Sequence, residues 1–258
     1  MGATCVKLEP PSGDPMGLYN PSAYAQLHKG VRITKADLKS ELGQRDLHRE
    51  LAKTDVLLTS FRPSALKKLG LVWKNLHQQY PLLSVVAIVG APGARAEEPG
   101  HDLTYMAEND LIPGLDLPAS LYADMGGSLM AAEAVLQAVL TQRTKSKGIY
   151  LEIALSEAAA YIGLPRMWGL TKPGSAVGGG HAGYKVYACK DGRVAVAALE
   201  PHFAASLSAL AGVKMESMKT MFSPQTHETI TAWIISKTRK ELDVLATQHD
   251  IPLHTLPN

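Results

Sequence analysis

The sequence predicts an α/β protein with a mainly parallel sheet, followed by a second, smaller α+β domain. Three observations carry that expectation. Residues 56–59 and 82–89 are apolar runs separated by stretches of helical character, and the second is almost unbroken, as in a strand covered on both faces. Strands that alternate with helices need crossover connections, and crossovers give parallel pairing. Beyond a stretch rich in glycine and proline, residues 167–180, the pattern changes. Two β-type runs, 184–189 and 193–199, flank Lys190-Asp191-Gly192, which is a hairpin signal.

Taken in order, residues 4–8 form a short β-type run stopped by Pro10, Pro11 and the turn signal Ser12-Gly13-Asp14-Pro15. Asp37 or Ser40 opens a helix running from Leu42 toward Leu51. Residues 64–69 give one or two helical turns ended by Gly70, and 73–79 another stopped before Pro81. The helix pattern over 129–140 is strong, and Arg143, Lys145, Lys147 and Gly148 end it as the helix dipole and C-cap geometry favour. Residues 149–154 alternate like a strand, and Ser156 is a fair N-cap for the alanine-rich helix that follows. After the hairpin, Pro201 sits in the first turn of a helix. Helices over 228–236 and 240–248 complete the pattern, with no internal repeat or low-complexity segment.

Composition narrows the function classes. The chain has 258 residues, 46% of them apolar, and a formal charge of +2, which is close to balanced. Scattered basic residues argue against nucleic acid or a membrane surface as partner, while a slight positive excess suits an anionic small molecule. Cys5 and Cys189 lie far apart and without ligand spacing, so neither a metal site nor a disulfide framework is expected, and a reducing, cytoplasmic setting fits. No apolar run is long enough to span a bilayer, and the beginning lacks the features of a signal peptide.

The chemistry points to residues 100–127. His101 exchanges a proton near neutral pH. Asp124 precedes Gly126 and Gly127 and a long apolar helix pattern, where backbone N–H groups gather. A base and an acid on opposite sides of one carbon is what proton exchange requires. On spacing alone, the same two residues read equally as a surface histidine and a helix cap.

These stretches, taken together, resemble the type III CoA-transferase family, which includes α-methylacyl-CoA racemases and CoA-transferases of the formyl-CoA and carnitine types. The resemblance rests on Gly2-Ala3 through Glu9-Pro10-Pro11-Ser12-Gly13-Asp14-Pro15, on Asp37-Leu38-Lys39-Ser40, and on Asp55-Val56-Leu57-Leu58 leading to Phe61-Arg62-Pro63 and Leu69-Gly70-Leu71. It continues with Gly100-His101-Asp102-Leu103, Ala123-Asp124-Met125-Gly126-Gly127 and the tyrosine hairpin ending in Glu200-Pro201.

The resemblance implies a doubly wound, Rossmann-like CoA-binding domain over residues 1–172, a small domain over 173–240, and in 241–258 the start of a segment returning to the large domain. It implies a homodimer of interlinked subunits, and a chain shortened at its N-terminus relative to the family. Asp124 stands where transferases carry a nucleophilic aspartate. His101 and Glu200 stand where racemases carry a catalytic histidine and its supporting glutamate. The implied reaction is racemisation of a 2-methylacyl-CoA by α-proton removal and return, with backbone donors near Gly126 and Gly127 holding the enolate oxygen. Two alternatives stay open: CoA transfer between carboxylic acids through an Asp124 acyl-enzyme, and a catalytically silent CoA-binding subunit. Coenzyme A enters as the substrate thioester, with no metal. Arg32, Lys68 and then Arg62 are the implied phosphate anchors, and His181, beside Gly178-Gly179-Gly180, is placed to reach the acyl group.

Overall fold

The computed structural model describes residues 2–257 and divides into two units, one ending at Ile162 and one beginning at Gly163. Met1 and Asn258, the outer limits of the expected domains, lie outside the described residues. In the first unit β1 (Val6–Glu9) pairs in parallel with β2 (Arg32–Lys35), the chain passing between them through the short helices α1 (Met16–Tyr19) and α2 (Pro21–Leu27). Proline follows Glu9 and has no N–H to extend a ladder, so β1 ends there. The next helix, α3 (Glu41–Leu51), is opened by Ser40, whose hydroxyl accepts the Gly43 N–H at 3.0 Å. Gly43 has no room for a side chain: a Cβ there would run into the Asp37 carbonyl.

A second parallel sheet holds β3 (Val56–Thr59), β4 (Ser84–Val89) and β5 (Tyr150–Ala154), with β4 in the middle. Helices α4 (Pro63–Lys68) and α5 (Trp73–Gln79) connect β3 to β4. Helices α6 (Asp102–Glu108) and α7 (Tyr122–Lys145) connect β4 to β5, and α8 (Leu155–Ile162) follows. Val85 and Leu57 pack with Leu47, Leu51, Leu66 and Leu76, whereas Val86 and Ile88 pack with Ala131 and Ala134 of α7. Successive strand residues face opposite ways, so helices cover both sides of the sheet and the unit is doubly wound. Each fully buried leucine, Leu76 for example, contributes about 1.5–3 kcal/mol. The parallel strands fall into two ladders rather than one, since β1 pairs with β2 alone.

Helix α7 starts well before the apolar pattern that signalled it. Gly126 and Gly127 lie inside it, at about 1 kcal/mol each relative to alanine. Packing explains their place: a Cβ at Gly126 would stand 2.8 Å from Ile162 Cδ1, and one at Gly127 would meet Leu155. The glycine pair is where α7 and α8 cross. At the other end the left-handed cap is Ser146, with φ 50°, while Gly148 is pressed against the Leu83 carbonyl.

The second unit begins with α9 (Leu164–Met167). Its sheet has the antiparallel order β6 (Tyr184–Cys189), β7 (Gly192–Ala197), β8 (Leu253–Leu256), backed by α10 (Pro201–Ala211), α11 (Pro224–Ile235) and α12 (Arg239–His249). Two expected boundaries change. The second unit begins at residue 163 rather than 173, and the glycine-rich stretch folds on itself within it: the Gly180 N–H bonds back to the Ser175 carbonyl at 2.9 Å, and a Cβ on Gly178 would strike the Lys172 carbonyl. Residues 241–257, expected to begin a segment returning to the first unit, supply most of α12 and then β8, whose Leu253 stands opposite Val196, and Leu242 and Ile251 join the core of Val194, Leu207 and Ile230.

That core carries a polar pair. His181 is 2% exposed and lies edge-on to Phe222, and its Nδ1 accepts the Gly183 N–H at 3.0 Å. The proton of the neutral ring is therefore on Nε2, which is buried without a partner. Burial, then the charge of His227, holds the His181 pKa below its ordinary 6.5. The unfolded chain thus binds more protons below about pH 6.5, and stability present above that pH is lost as pH falls. Urea unfolding of the second unit should show a midpoint that drops from pH 7.5 to pH 5, and His181→Gln should shrink the drop. A wild-type midpoint flat across that range would contradict it.

Candidate active site

At the end of β4 the chain turns at Gly90, passes a 3-10 turn, Gly93–Glu97, and reaches His101 at the N-cap of α6. Thr104 locks this start: its hydroxyl oxygen accepts the His101 N–H at 3.1 Å, and the hydroxyl donates to the His101 carbonyl at 2.8 Å. Tyr105, one turn on, is 6% exposed, and its hydroxyl fills the space that a Cβ at residue 90 or 100 would take. Both flanking positions are therefore restricted to glycine, and the tyrosine keys the strand exit to the loop that delivers His101.

Asp124 lies in the first turn of α7. Its backbone N–H donates to Asp102 Oδ1 at 3.0 Å, and Asp102 is only 5% exposed. One buried carboxylate thus ties the start of α6 to the start of α7 and brings His101 and Asp124 within electrostatic reach of each other. Burial first, and the Asp102 charge second, push the Asp124 carboxyl above its ordinary 3.8, against a smaller downward pull from His101. Burial, then the charges of Asp124 and Glu108, push the Tyr105 hydroxyl up from 10, while Arg62 and Arg95 act the other way.

The backbone donors expected near Gly126 and Gly127 are spent, because both residues lie inside α7, where each N–H bonds the carbonyl four residues back. In the first turns of α6 and α7 the Asp124 N–H is taken by Asp102 and the Thr104 N–H by the His101 carbonyl, while those of residues 102, 103, 122 and 123 have no partner within their own helix. Asp102 and Tyr105 escaped the sequence reading. The acidic residue at a helix start was visible as a dipole complement, but its bond to residue 124 spans a connection that local pattern does not encode.

A surface cleft of about 1050 Å³ opens beside Leu38, Ser40, Phe61, Lys68 and Gly70. It lies just past the carboxyl ends of β2 and β3, the edge at which open α/β sheets bind ligands. Lys39 and Arg45 also line it; Lys39 belongs to the Asp37–Ser40 stretch that carries the resemblance, but neither residue was expected to contact phosphate. Arg62 is exposed at the N-cap of α4, next to Phe61. Arg32 is not gathered with these groups. It opens β2 at the far end of the strand and is ion-paired with Glu50 at 2.7 Å.

Glu200 belongs to the second unit, exposed at the N-cap of α10, where its carbonyl accepts the Ala204 N–H at 2.9 Å. His181, which by its place beside the glycines could have reached an acyl group, is buried in that unit and edge-on to Phe222. Among the described residues no group of His, Cys, Asp and Glu is arranged to hold a metal ion, and no helix is long and apolar enough to cross a membrane.

Comparison with known proteins gives the same picture at the level of family. Relatives include a CaiB/baiF CoA-transferase family protein of Caenorhabditis elegans, 30% identical over 75% of this chain and 63% of that protein. The alpha-methylacyl-CoA racemase of Mus musculus is 29% identical over 76% of this chain and 56% of its own length. A cinnamoyl-CoA:phenyllactate CoA-transferase of Clostridium sporogenes is 30% identical over 62% of this chain and 44% of its own length. The chain thus spans less than two thirds of the length of the curated relatives it matches. Among solved structures, a hypothetical protein of Mycobacterium tuberculosis superposes with a TM-score of 0.84 at 21% identity, over 98% of this chain and 76% of that one. A CAIB/BAIF family protein of Brucella suis gives 0.82 at 21%, over 100% of this chain and 77% of that one. The family model described as CoA-transferase family III matches residues 1–257, and the chain belongs to that family.

Proposed function

We propose that this chain racemises 2-methylacyl-CoA thioesters, with His101 and Asp124 as the two acid–base groups. The observation that supports the reading is the bond from the Asp124 N–H to the buried Asp102, which joins the helix starts that carry Asp124 and His101; burial, and then the Asp102 charge, raise the Asp124 carboxyl pKa. Racemisation needs two such groups, one to take a proton and one to return it. His101 would take the α-proton of one enantiomer while Asp124 returns a proton to the opposite face, and the roles exchange for the other. The developing enolate oxygen would fall to the first-turn N–H groups of α6 and α7. Glu200 enters through the family resemblance, as the carboxylate that orients the histidine.

Lys68 and Arg62, aided by Lys39 and Arg45, are the proposed phosphate contacts for coenzyme A, arginine as a planar fork and lysine as a point charge. Arg32, held by Glu50, leaves that role. The proposal places the protein in the cytoplasm, acting on a soluble acyl-CoA without a metal. The second reading, CoA transfer through an acylated Asp124, draws support from the transferase among the relatives. It uses that carboxylate as a nucleophile, the role that the family resemblance gives to an aspartate at the position of Asp124.

Deuterium incorporation at the α-carbon of a 2-methylacyl-CoA in D2O, with no acceptor acid present, tests the reading. His101→Ala should lower the exchange rate by about 10²–10⁴-fold, the usual worth of a positioned acid or base. A wild-type protein that exchanges nothing but passes CoA to an added carboxylate establishes the transferase instead.

Asp124→Asn separates a functional carboxyl from a structural one. A carboxyl with a raised folded-state pKa gives stability below its unfolded pKa, and that stability is lost as pH rises through the folded value. The asparagine variant should therefore match or exceed wild-type stability at pH 7 in urea titrations while losing exchange. A clear loss of stability at pH 7 would make Asp124 structural.

The homodimer in the proposal has a candidate face. Met125, Leu129, Leu136 and Leu140 recur at helical spacing along α7 and are all more than half exposed, Leu129 at 72%. A stripe of that length invites burial by a second copy. Sedimentation velocity should show a dimer, and Leu129→Glu combined with Leu136→Glu should give a monomer. A wild-type monomer at tens of micromolar would reject it.

A further inference from the structure

We propose that Glu97 is a positioning residue for the His101–Asp124 pair, a tether through which the CoA-anchoring side of the first unit fixes the base; the inference rests on the function proposed above. Glu97 ends the 3-10 turn Gly93–Glu97 and reaches across to α4. Its Oε1 accepts the Ser64 N–H, and its Oε2 accepts the Ser64 hydroxyl at 2.9 Å. A carboxylate held at the first turn of a helix is favoured by charge and by unspent N–H groups together. Ser64 follows Phe61, Arg62 and Pro63, so the carboxylate grips the loop that carries a cleft residue and a proposed phosphate contact.

The four steps from Glu97 to His101 are short and closely packed. Glu98 is extended, with φ −66° and ψ 142°, as the residue before a proline prefers. Pro99 has a fixed φ. Gly100 is hemmed by the Tyr105 ring: a Cβ there would stand 2.7 Å from Cε1. His101 is then locked by Thr104. The turn has a second anchor in Arg95, which donates to Glu98 at 2.9 Å and to Glu108 at the end of α6 at 2.7 Å. With Glu97 gripping α4, the loop is held at both ends. Without it, the segment entering α6 is held by Arg95 alone, and the Asp102 bond is left to keep His101 in register with Asp124 against a looser loop. Since displacement of a reacting group by about 1 Å can cost 100-fold, the loss falls on the chemical step.

The test uses Glu97→Ala, Glu97→Gln and Ser64→Ala, alone and combined. In α-proton exchange Glu97→Ala should lower kcat about 10- to 100-fold with KM for the acyl-CoA within about twofold and the thermal midpoint unchanged. Glu97→Gln keeps an acceptor for the Ser64 N–H and should restore most of the rate. Adding Ser64→Ala to Glu97→Ala should cost nothing further. Amide exchange over residues 98–105 of the free protein reads the tether apart from activity and should rise in Glu97→Ala. Absence of α-proton exchange in the wild type would strike the proposed reaction, leaving those amides to decide the tether. Unchanged amide protection in Glu97→Ala overturns it, as does a kcat loss matched by a lower thermal midpoint or unrescued by glutamine.

Discussion

Two adjacent helix starts are held together by a carboxylate that water scarcely reaches, and the geometry of the site follows from that bond. Asp102 accepts the Asp124 N–H while its charge works against ionisation of the Asp124 side chain. The same group therefore builds the site and tunes it. Helix N-termini favour negative charge, so two aspartates in facing first turns are individually well placed. Burial of the Asp124 side chain and the charge of Asp102 together hold its carboxyl above the ordinary value.

Close approach of backbone elements is the second constraint, and glycine supplies it at each crossing. Gly43 lets α3 sit on the Asp37 carbonyl, Gly126 and Gly127 let α8 lie against α7, and Gly90 with Gly100 admits the Tyr105 hydroxyl. The α7–α8 crossing matters for the site because it fixes the start of α7, and Asp124 with it. Two glycines inside a helix cost about 2 kcal/mol together against alanine. The side chains of Leu155 and Ile162 fill the space gained, so packing offsets the propensity.

Much of the architecture was legible because strand and helix periods are local. The buried run of β4, the 190–192 turn and the basic end of α7 are all written within a few residues of one another. The start of α7 was not, since Gly126 and Gly127 look like a break until the helix that fills them is known. The tail misled for a related reason. Residues 253–256 are too short and too mixed to announce a strand, and only their pairing with β7 places them in the second unit. In the site, His101 and Asp124 were visible as residue types able to exchange protons. Their connection through Asp102 was not, because hydrogen bonding between two loops separated by a helix leaves no periodic trace. Arg32 was chosen by position in a basic stretch, and its pairing with Glu50 depends on α3 passing alongside β2.

In the proposed reading, the parallel arrangement also separates binding from chemistry. Strands that run the same way deliver all their exits to one edge. In the first unit the exits of β2 and β3 border the cleft, while that of β4 leads to His101. A ligand anchored by charge at the first two exits would present its reacting end at the third without the protein gripping the reacting carbon itself. Binding energy gained on the remote part then serves to hold the carbon between acid and base. Such a division of labour demands that the exits keep their spacing, because an error of an ångström between anchor and base is felt in the reaction and not in the affinity. The side-chain bonds that cross from one exit to the next, Glu97 to Ser64 and Asp102 to the Asp124 backbone, are where that spacing is set.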